Sequence, residues 1–307
     1  MTTIDRRSLL LGAGSLSLLA ACGTSSTTSS GSASGAGAGL PLSAIPDSKP
    51  EKLNRLYPAL ASRLTAATGL PMSYEPLTDY PAVVRAFAVG DIALAWMGGL
   101  TGVQARTRVP GAMAIAQRDI DADFHSLFIA NTASGLKAFT DVSGLKSLAG
   151  HSLTFGSETS TSGRLMPQYF IQQAGLELSA LKGKPGFSGS HDATIEAVAS
   201  GSFEVGAVNE QVWTATQKAG KVDLSAVTAL FRTPGFVDYH WLIRPDVDQK
   251  YGAGTTKKIT DALLGLTPTK PDDAVVLDLF GAKKFITTQN SNYDKLASVA
   301  KGLGLLT

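Results

Sequence analysis

The chain has 307 residues, 44% of them hydrophobic and 17% charged, with a formal net charge of +2 and a single cysteine. That balance excludes a basic nucleic-acid binder and a fold held by internal disulfides. What remains is an ordinary globular composition, long enough for two lobes or one large domain.

The first element is a targeting segment. Arg6-Arg7 precede an apolar run over 9–21, and the run closes on Leu19-Ala20-Ala21-Cys22. The run is shorter than the roughly 20 apolar residues that a spanning helix needs. A positive start, a short apolar segment and small residues before a cut site describe a signal peptide over 1–21. The lipobox ending in Cys22 directs a diacylglyceryl thioether onto that thiol, and the arginine pair resembles a twin-arginine export signal. Cys22 is therefore the expected lipidation site. The protein is expected on the extracytoplasmic face of the cell membrane, held there by acyl chains alone. Residues 22–39 are almost wholly Gly, Ser, Thr and Ala after the cysteine. They cannot bury enough apolar surface to order themselves and read as a flexible linker.

From residue 40 onward helical and strand patterns alternate. Leu53, Leu56, Leu60 and Leu64 recur at helical spacing, ahead of Gly69 and Pro71. Residues 72–76 read as a strand, 80–89 as a helix closed by Gly90, and 92–96 and 124–131 as strands. Strands at 153–155 and 205–208 and helices at 165–174 and 193–199 continue an α/β pattern with largely parallel strands. Residues 84–98 align without a gap on 195–209, each a helix, a glycine turn, a strand and a polar or glycine edge. A unit repeated after 111 residues implies two similar lobes. Lobe 1 is expected over 40–130 plus 236–307 and lobe 2 over 134–231. Ligands of open α/β sheets sit beyond the carboxyl ends of strands. That rule points to a cleft framed by Trp96 and Gly98 on one side and Asn209 on the other.

The densest local feature is Ser157-Glu158-Thr159-Ser160-Thr161-Ser162-Gly163-Arg164, between a strand and a helix. Hydroxyls and free N–H groups at a helix start form an anion site, or simply cap the helix. A P-loop spacing is absent. Pro167 must lie in the first turn of the following helix or kink it. Ser190-His191-Asp192 precedes another helix, where His191 reads as an anion donor or a surface residue. Arg118 and Arg164 are guanidiniums able to grip an oxyanion bidentately. The competing view of Arg118 is an ion pair with Asp119 or Asp121. Tyr80, Trp96, Tyr239 and Trp241 wall a pocket or fill a core. The four histidines, His125, His151, His191 and His240, are isolated in sequence, and no metal-ligand spacing or nucleophile elbow occurs. No cofactor or metal is expected.

Thr78-Asp79-Tyr80, Trp96-Met97-Gly98, Ser160-Thr161-Ser162-Gly163, Ser190-His191 and Asp238 resemble, in that order, the phosphate/phosphite/phosphonate-binding proteins of ABC importers. The resemblance spans nearly all of 40–307. It implies a two-lobed periplasmic-binding-protein (type II) fold with a hinge and an interlobe cleft. It also implies an oxyanion caged by Tyr80, Ser160, Thr161, Ser162, His191 and Asp238. The family's usual Trp-Tyr-Gly is Trp96-Met97-Gly98 here, and Arg164 stands where an apolar residue is common. Asn54-Arg55-Leu56-Tyr57 and Ala116-Gln117-Arg118-Asp119 look closer to a branch labelled selenate-binding. Extra guanidinium charge would suit a dianion such as selenate or sulfate. A protonated phosphorus oxyanion would instead need an acceptor such as Asp238 or Glu158.

The reading is thus a non-enzymatic, monomeric, lipid-anchored solute-binding protein that delivers a small tetrahedral oxyanion to an ABC permease and ATPase. The alternatives are an exported enzyme acting on phosphate or sulfate esters and a module that presents ligand to a membrane sensor.

Overall fold

The computed structural model describes residues 39–306. The signal peptide, Cys22 and nearly all of the linker lie outside the described residues. Among those described, no helix is long and apolar enough to cross a membrane.

The first sheet begins with β1 (Leu40–Ala44), which leads into α1 (Pro50–Thr68). That helix starts on a proline, ends on Gly69 in the left-handed region, and buries Leu53, Leu56, Leu60 and Leu64. Proline at the first turn and glycine after the last are the favoured ends. Then come β2 (Met72–Tyr74), α2 (Tyr80–Val89), β3 (Leu94–Met97), α3 (Gly99–Arg108) and β4 (Met113–Arg118). The second sheet holds β5 (Ser126–Asn131), β6 (Leu153–Phe155), β7 (Gly186–Phe187), β8 (Val205–Asn209) and β9 (Val227–Arg232), with α4 (Met166–Gln173), α5 (His191–Ala199) and α6 (Glu210–Lys218) between them. The chain then returns through β10 (His240–Ile243), α7 (Val247–Tyr251), α8 (Thr255–Leu264), α9 (Pro271–Phe280), β11 (Phe285–Ile286) and α10 (Asp294–Gly302).

Strand order is β11-β4-β10-β3-β1-β2 in the first sheet and β7-β6-β8-β5-β9 in the second. Both sheets are mixed. β10 pairs antiparallel with β3 and β4, and β5 pairs antiparallel with β8 and β9. Each antiparallel strand adjoins a passage of the chain between the sheets, at 119–125 and 233–239. The two passages are joined to each other. Phe124 N donates to Phe236 O at 2.7 Å, and Phe236 N donates to Phe124 O at 2.9 Å. β5, read from sequence as the end of the first lobe, is hydrogen-bonded inside the second sheet, so the chain leaves the first sheet before it. An apolar strand looks the same in either sheet, because its pairing is a long-range property.

The repeated unit is real in three dimensions. α2 and β3 form one copy, α5 and β8 the other, with Gly90 and Gly201 both at positive φ in the turn. Equivalent residues at the two helix starts are Tyr80 and His191, also 111 residues apart. The repeat therefore places one buried ring at the first turn of α2 and one at the first turn of α5.

Candidate functional site

After β6 the chain makes a wide π turn over Thr161–Leu165 before α4 begins. Ser160 Oγ accepts from Gly163 N at 2.9 Å, and Gly156 N donates to Gly163 O at 2.9 Å, closing the loop on itself. Such turns are rare and concentrate at functional sites. Pro167 falls in the first turn of α4, where its missing N–H has no intrahelical partner to lose. The loop carries Ser160, Thr161 and Ser162 into the interior, each at most 3% exposed.

The first sheet meets this loop at the start of α3. Leu100 N donates to Thr161 Oγ1 at 2.9 Å, and Gly99 N donates to Asp238 Oδ1 at 2.9 Å. The helix is thus capped by a hydroxyl from the second sheet and a carboxylate from the return passage. Gly98 leaves little room at this approach. A Cβ there would stand 3.1 Å from Thr161 Oγ1 and 3.3 Å from Asp238 Oδ1.

Tyr80 follows Asp79, whose side chain accepts from Ala82 N at 2.6 Å. Its hydroxyl is buried without a hydrogen-bond partner, as are Ser162 Oγ and Asp238 Oδ2. Buried polar atoms are nearly always paired. Three orphans here belong to residues that border the α3 start. Burial pushes the Asp238 carboxyl up to about 7, against the opposing pull of the Gly99 N–H.

His191 adjoins the loop, its Cε1 lying 3.1 Å from where a Gly163 Cβ would be. Nδ1 accepts from Asn209 N at 3.2 Å, and Nε2 lies 3.4 Å from Tyr239 Oη. A backbone N–H can only donate, so the neutral ring carries its proton on Nε2. Burial pulls the imidazole down to about 3, which keeps it neutral. Asn209 also caps α6 through Val212 N at 2.8 Å. Trp96 backs the site from the core, stacked on Tyr239 at 5.7 Å.

Tyr80, Gly98, Ser160, Thr161, Ser162, His191, Asn209 and Asp238 are therefore drawn together. The two guanidiniums are not. Arg118 Nε donates to Asp121 Oδ2 at 2.8 Å and its Nη2 to Asp121 Oδ1 at 2.6 Å, while Nη1 reaches Gln211 and Phe280 O. The ion-pair view of Arg118 is the one the geometry shows. Breaking a buried pair leaves a charge uncompensated, so Arg118→Ala should lower stability by about 3–5 kcal/mol in urea unfolding. An effect on affinity at unchanged stability would contradict this. Arg164 bonds to Gln168 Oε1 at 3.1 Å and stacks 4.7 Å from the Phe187 ring. Glu158 offers its main-chain oxygen to Arg164 Nη1 at 3.4 Å. Sequence reasoning missed the Gly99 and Leu100 N–H groups and gave Tyr239 no role beyond a wall. Adjacency to Asp238 was the one signal available. No cluster of three or more metal-ligating side chains occurs among the described residues.

Two mixed α/β sheets, joined by paired crossing passages and meeting at a buried polar cluster, define the type II periplasmic-binding architecture. The chain belongs to the ABC-transporter phosphonate periplasmic substrate-binding protein family, whose profile matches residues 42–293. It is 41% identical over 265 residues to the probable ABC transporter phosphite binding protein PhnD1 of Prochlorococcus marinus, covering 86% of this chain and 89% of that one. The structure of PhnD1 in complex with methylphosphonate superposes with a TM-score of 0.85 at 40% identity, over 87% of this chain and 98% of that chain. A phosphonate-transporter binding protein of Pseudomonas aeruginosa shares the fold at 17% identity, with a TM-score of 0.73 over 85% and 84% of the two chains. The chain is thus an extracytoplasmic substrate-binding protein of an ABC importer, which works with a permease and an ATPase.

Proposed function

We propose that this protein binds a singly protonated, tetrahedral phosphorus oxyanion of the phosphite or methylphosphonate kind at the Ser160–Ser162 loop. The observation that carries the reading is the trio of buried, unpartnered groups: Tyr80 Oη, Ser162 Oγ and Asp238 Oδ2. Two are hydroxyls able to donate to an anionic oxygen. The third, Asp238 Oδ2, accepts an O–H from the ligand when ionised and offers one when protonated, so one proton lies between it and the ligand. Thr161 Oγ1 already accepts from Leu100 N, so its own proton is free to donate, and the same holds for Ser160. His191 adds an Nε2–H. No guanidinium joins the cage, because Arg118 and Arg164 are held elsewhere. Above about pH 7, where Asp238 is ionised, a fully ionised selenate or sulfate would face the carboxylate with no proton to share, which disfavours the dianion reading. The kinship to PhnD1 points the same way.

In this reading the sheets belong to two lobes that close about the paired passages at Phe124 and Phe236, and Cys22 carries the acyl anchor. The protein acts as a monomer. A thermal-shift screen against phosphite, methylphosphonate, 2-aminoethylphosphonate, phosphate, sulfate and selenate tests the assignment. A ligand at a hundred times its Kd adds about 2.7 kcal/mol. Phosphite or methylphosphonate should stand out. Selenate or sulfate standing out instead would refute the protonated-ligand reading.

A further inference from the structure

We infer that Gln211 is the latch between the two halves of the molecule: α6 carries its amide into a notch formed by Arg118 and the last carbonyl of α9, and this contact slows release of the bound oxyanion. The inference rests on the ligand and lobe-closure reading above.

Phe280 is the final residue of α9, so its carbonyl has no partner within the helix. It accepts from Arg118 Nη1 at 2.9 Å and from Gln211 Nε2 at 2.7 Å, one donor for each lone pair. Arg118 Nη1 gives its other proton to Gln211 Oε1. A guanidinium only donates and a carbonyl only accepts. The side chain between them must therefore turn an acceptor to one and a donor to the other, which an amide does. The base of the notch is fixed without Gln211. Arg118 Nε and Nη2 fork onto the Asp121 carboxylate, and Asp121 O accepts from Asp238 N at 3.0 Å. The cation also lies at the negative end of the α9 dipole. The facing wall is Gly281, at φ +63°, where a Cβ would collide with Gln211 Nε2.

Arg118 and Phe280 belong to elements around the first sheet, and Gln211 follows β8 of the second. Asn209, two residues before it, caps α6 through Val212 N and reaches Tyr239 Oη at 3.1 Å. The start of α6 thus delivers one residue to the polar cluster and the next but one to the notch. Gln211 lines both a groove, with Asp119 and Thr214, and a small void between the sheets, with Trp96 and Asn209, so its side chain stands between the two spaces. A second bridge across the halves lies at the surface, where Lys49 Nζ meets Glu196 Oε1 at 2.7 Å with side chains 48% and 66% exposed. Exposed ion pairs hold weakly. The Arg118 side chain is only 6% exposed, and hydrogen bonds to an ionised group are roughly twice as strong as neutral ones. The buried amide, rather than the exposed ion pair, therefore holds the halves together.

Stopped-flow kinetics on the full protein, with methylphosphonate as the probe, test this. Gln211→Met keeps the bulk of the side chain and removes both hydrogen bonds. It should speed release about tenfold and leave the association rate unchanged, because the latch forms only after the ligand has entered. Native release, or a loss confined to association, would overturn the inference. Gly281→Ala attacks the notch from the facing wall. It should speed release in the native background and add nothing to Gln211→Ala, because the two act on one contact. Additive effects would overturn the latch. Lys49→Ala, at the exposed bridge, should change release by no more than about twofold, and an acceleration equal to that of Gln211→Met would show that no particular residue holds the halves. Small-angle X-ray scattering separates the latch from the reading beneath it. The unaltered protein should contract on saturation with methylphosphonate. Failure to bind or to contract would strike the ligand and closure reading, whereas contraction with native release in Gln211→Met strikes the latch alone.

Discussion

Ser162→Ala should weaken oxyanion binding ten- to a hundred-fold while leaving the unliganded protein as stable as before, or slightly more so. A hydrogen bond to a charged group is worth about 1.5–3 kcal/mol, which gives that range. The second half of the expectation follows from Ser162 Oγ having no partner. An unpaired buried hydroxyl stabilises nothing, and its removal relieves a desolvation cost. The main-chain oxygen of Ser162 still accepts from Ser126 Oγ at 2.7 Å, so the loop stays in place. Thr161→Ala is the instructive contrast. Thr161 Oγ1 accepts from Leu100 N, so its loss strands a buried N–H and should cost stability of about 1–3 kcal/mol as well as affinity. Titration calorimetry and thermal unfolding on both variants check the pair. A Ser162→Ala protein that binds normally but unfolds early would mean that the loop is only structural.

Asp238→Asn should remove the pH dependence of binding and relax the bias against dianions. The native complex holds one proton between Asp238 and the ligand, whichever partner brings it. Burial raises the Asp238 carboxyl to about 7, so above that pH, once the ligand has also lost its proton, the complex must take one up to form, and affinity should fall by up to about tenfold per pH unit. Asparagine keeps an oxygen for Gly99 N and brings an N–H₂ in place of the lone carboxylate oxygen. It needs no proton, so its affinity should stay flat on either side of neutrality, and sulfate should begin to bind. Stability moves in a defined direction too. A carboxyl whose folded value is raised favours folding while protonated, so that contribution is present at low pH and lost as pH rises through about 7. Above neutrality the Asp238→Asn variant should therefore melt higher than the native protein. Parallel pH profiles in the two proteins would contradict the shared proton.

What could be read in the sequence was local. The serine–threonine loop, the glycine turns and the 111-residue repeat are short-range chemistry, and they sit where the spacing put them. Asp238 could be collected only through the family pattern, because its bond to Gly99 N joins residues 139 apart in the chain. The assignments that moved are long-range ones. Arg118 is the local exception: of the two views its spacing left open, the fold buries it against Asp121, three residues away. Arg164 turned from the loop it follows to lie over Phe187. The pairing of β5 with β8 and the plugging of Tyr239 between Asn209 and His191 depend on where two sheets meet, which residue spacing does not encode.

The most direct test is calorimetric titration of the purified protein with methylphosphonate and with sulfate, at a pH above 7, where Asp238 is ionised. Tight one-to-one binding of methylphosphonate, with no heat from sulfate, is the result that the protonated-oxyanion site requires. Equal or tighter binding of sulfate would show that the Asp238 carboxylate does not select for a proton, and the account of the site would fail.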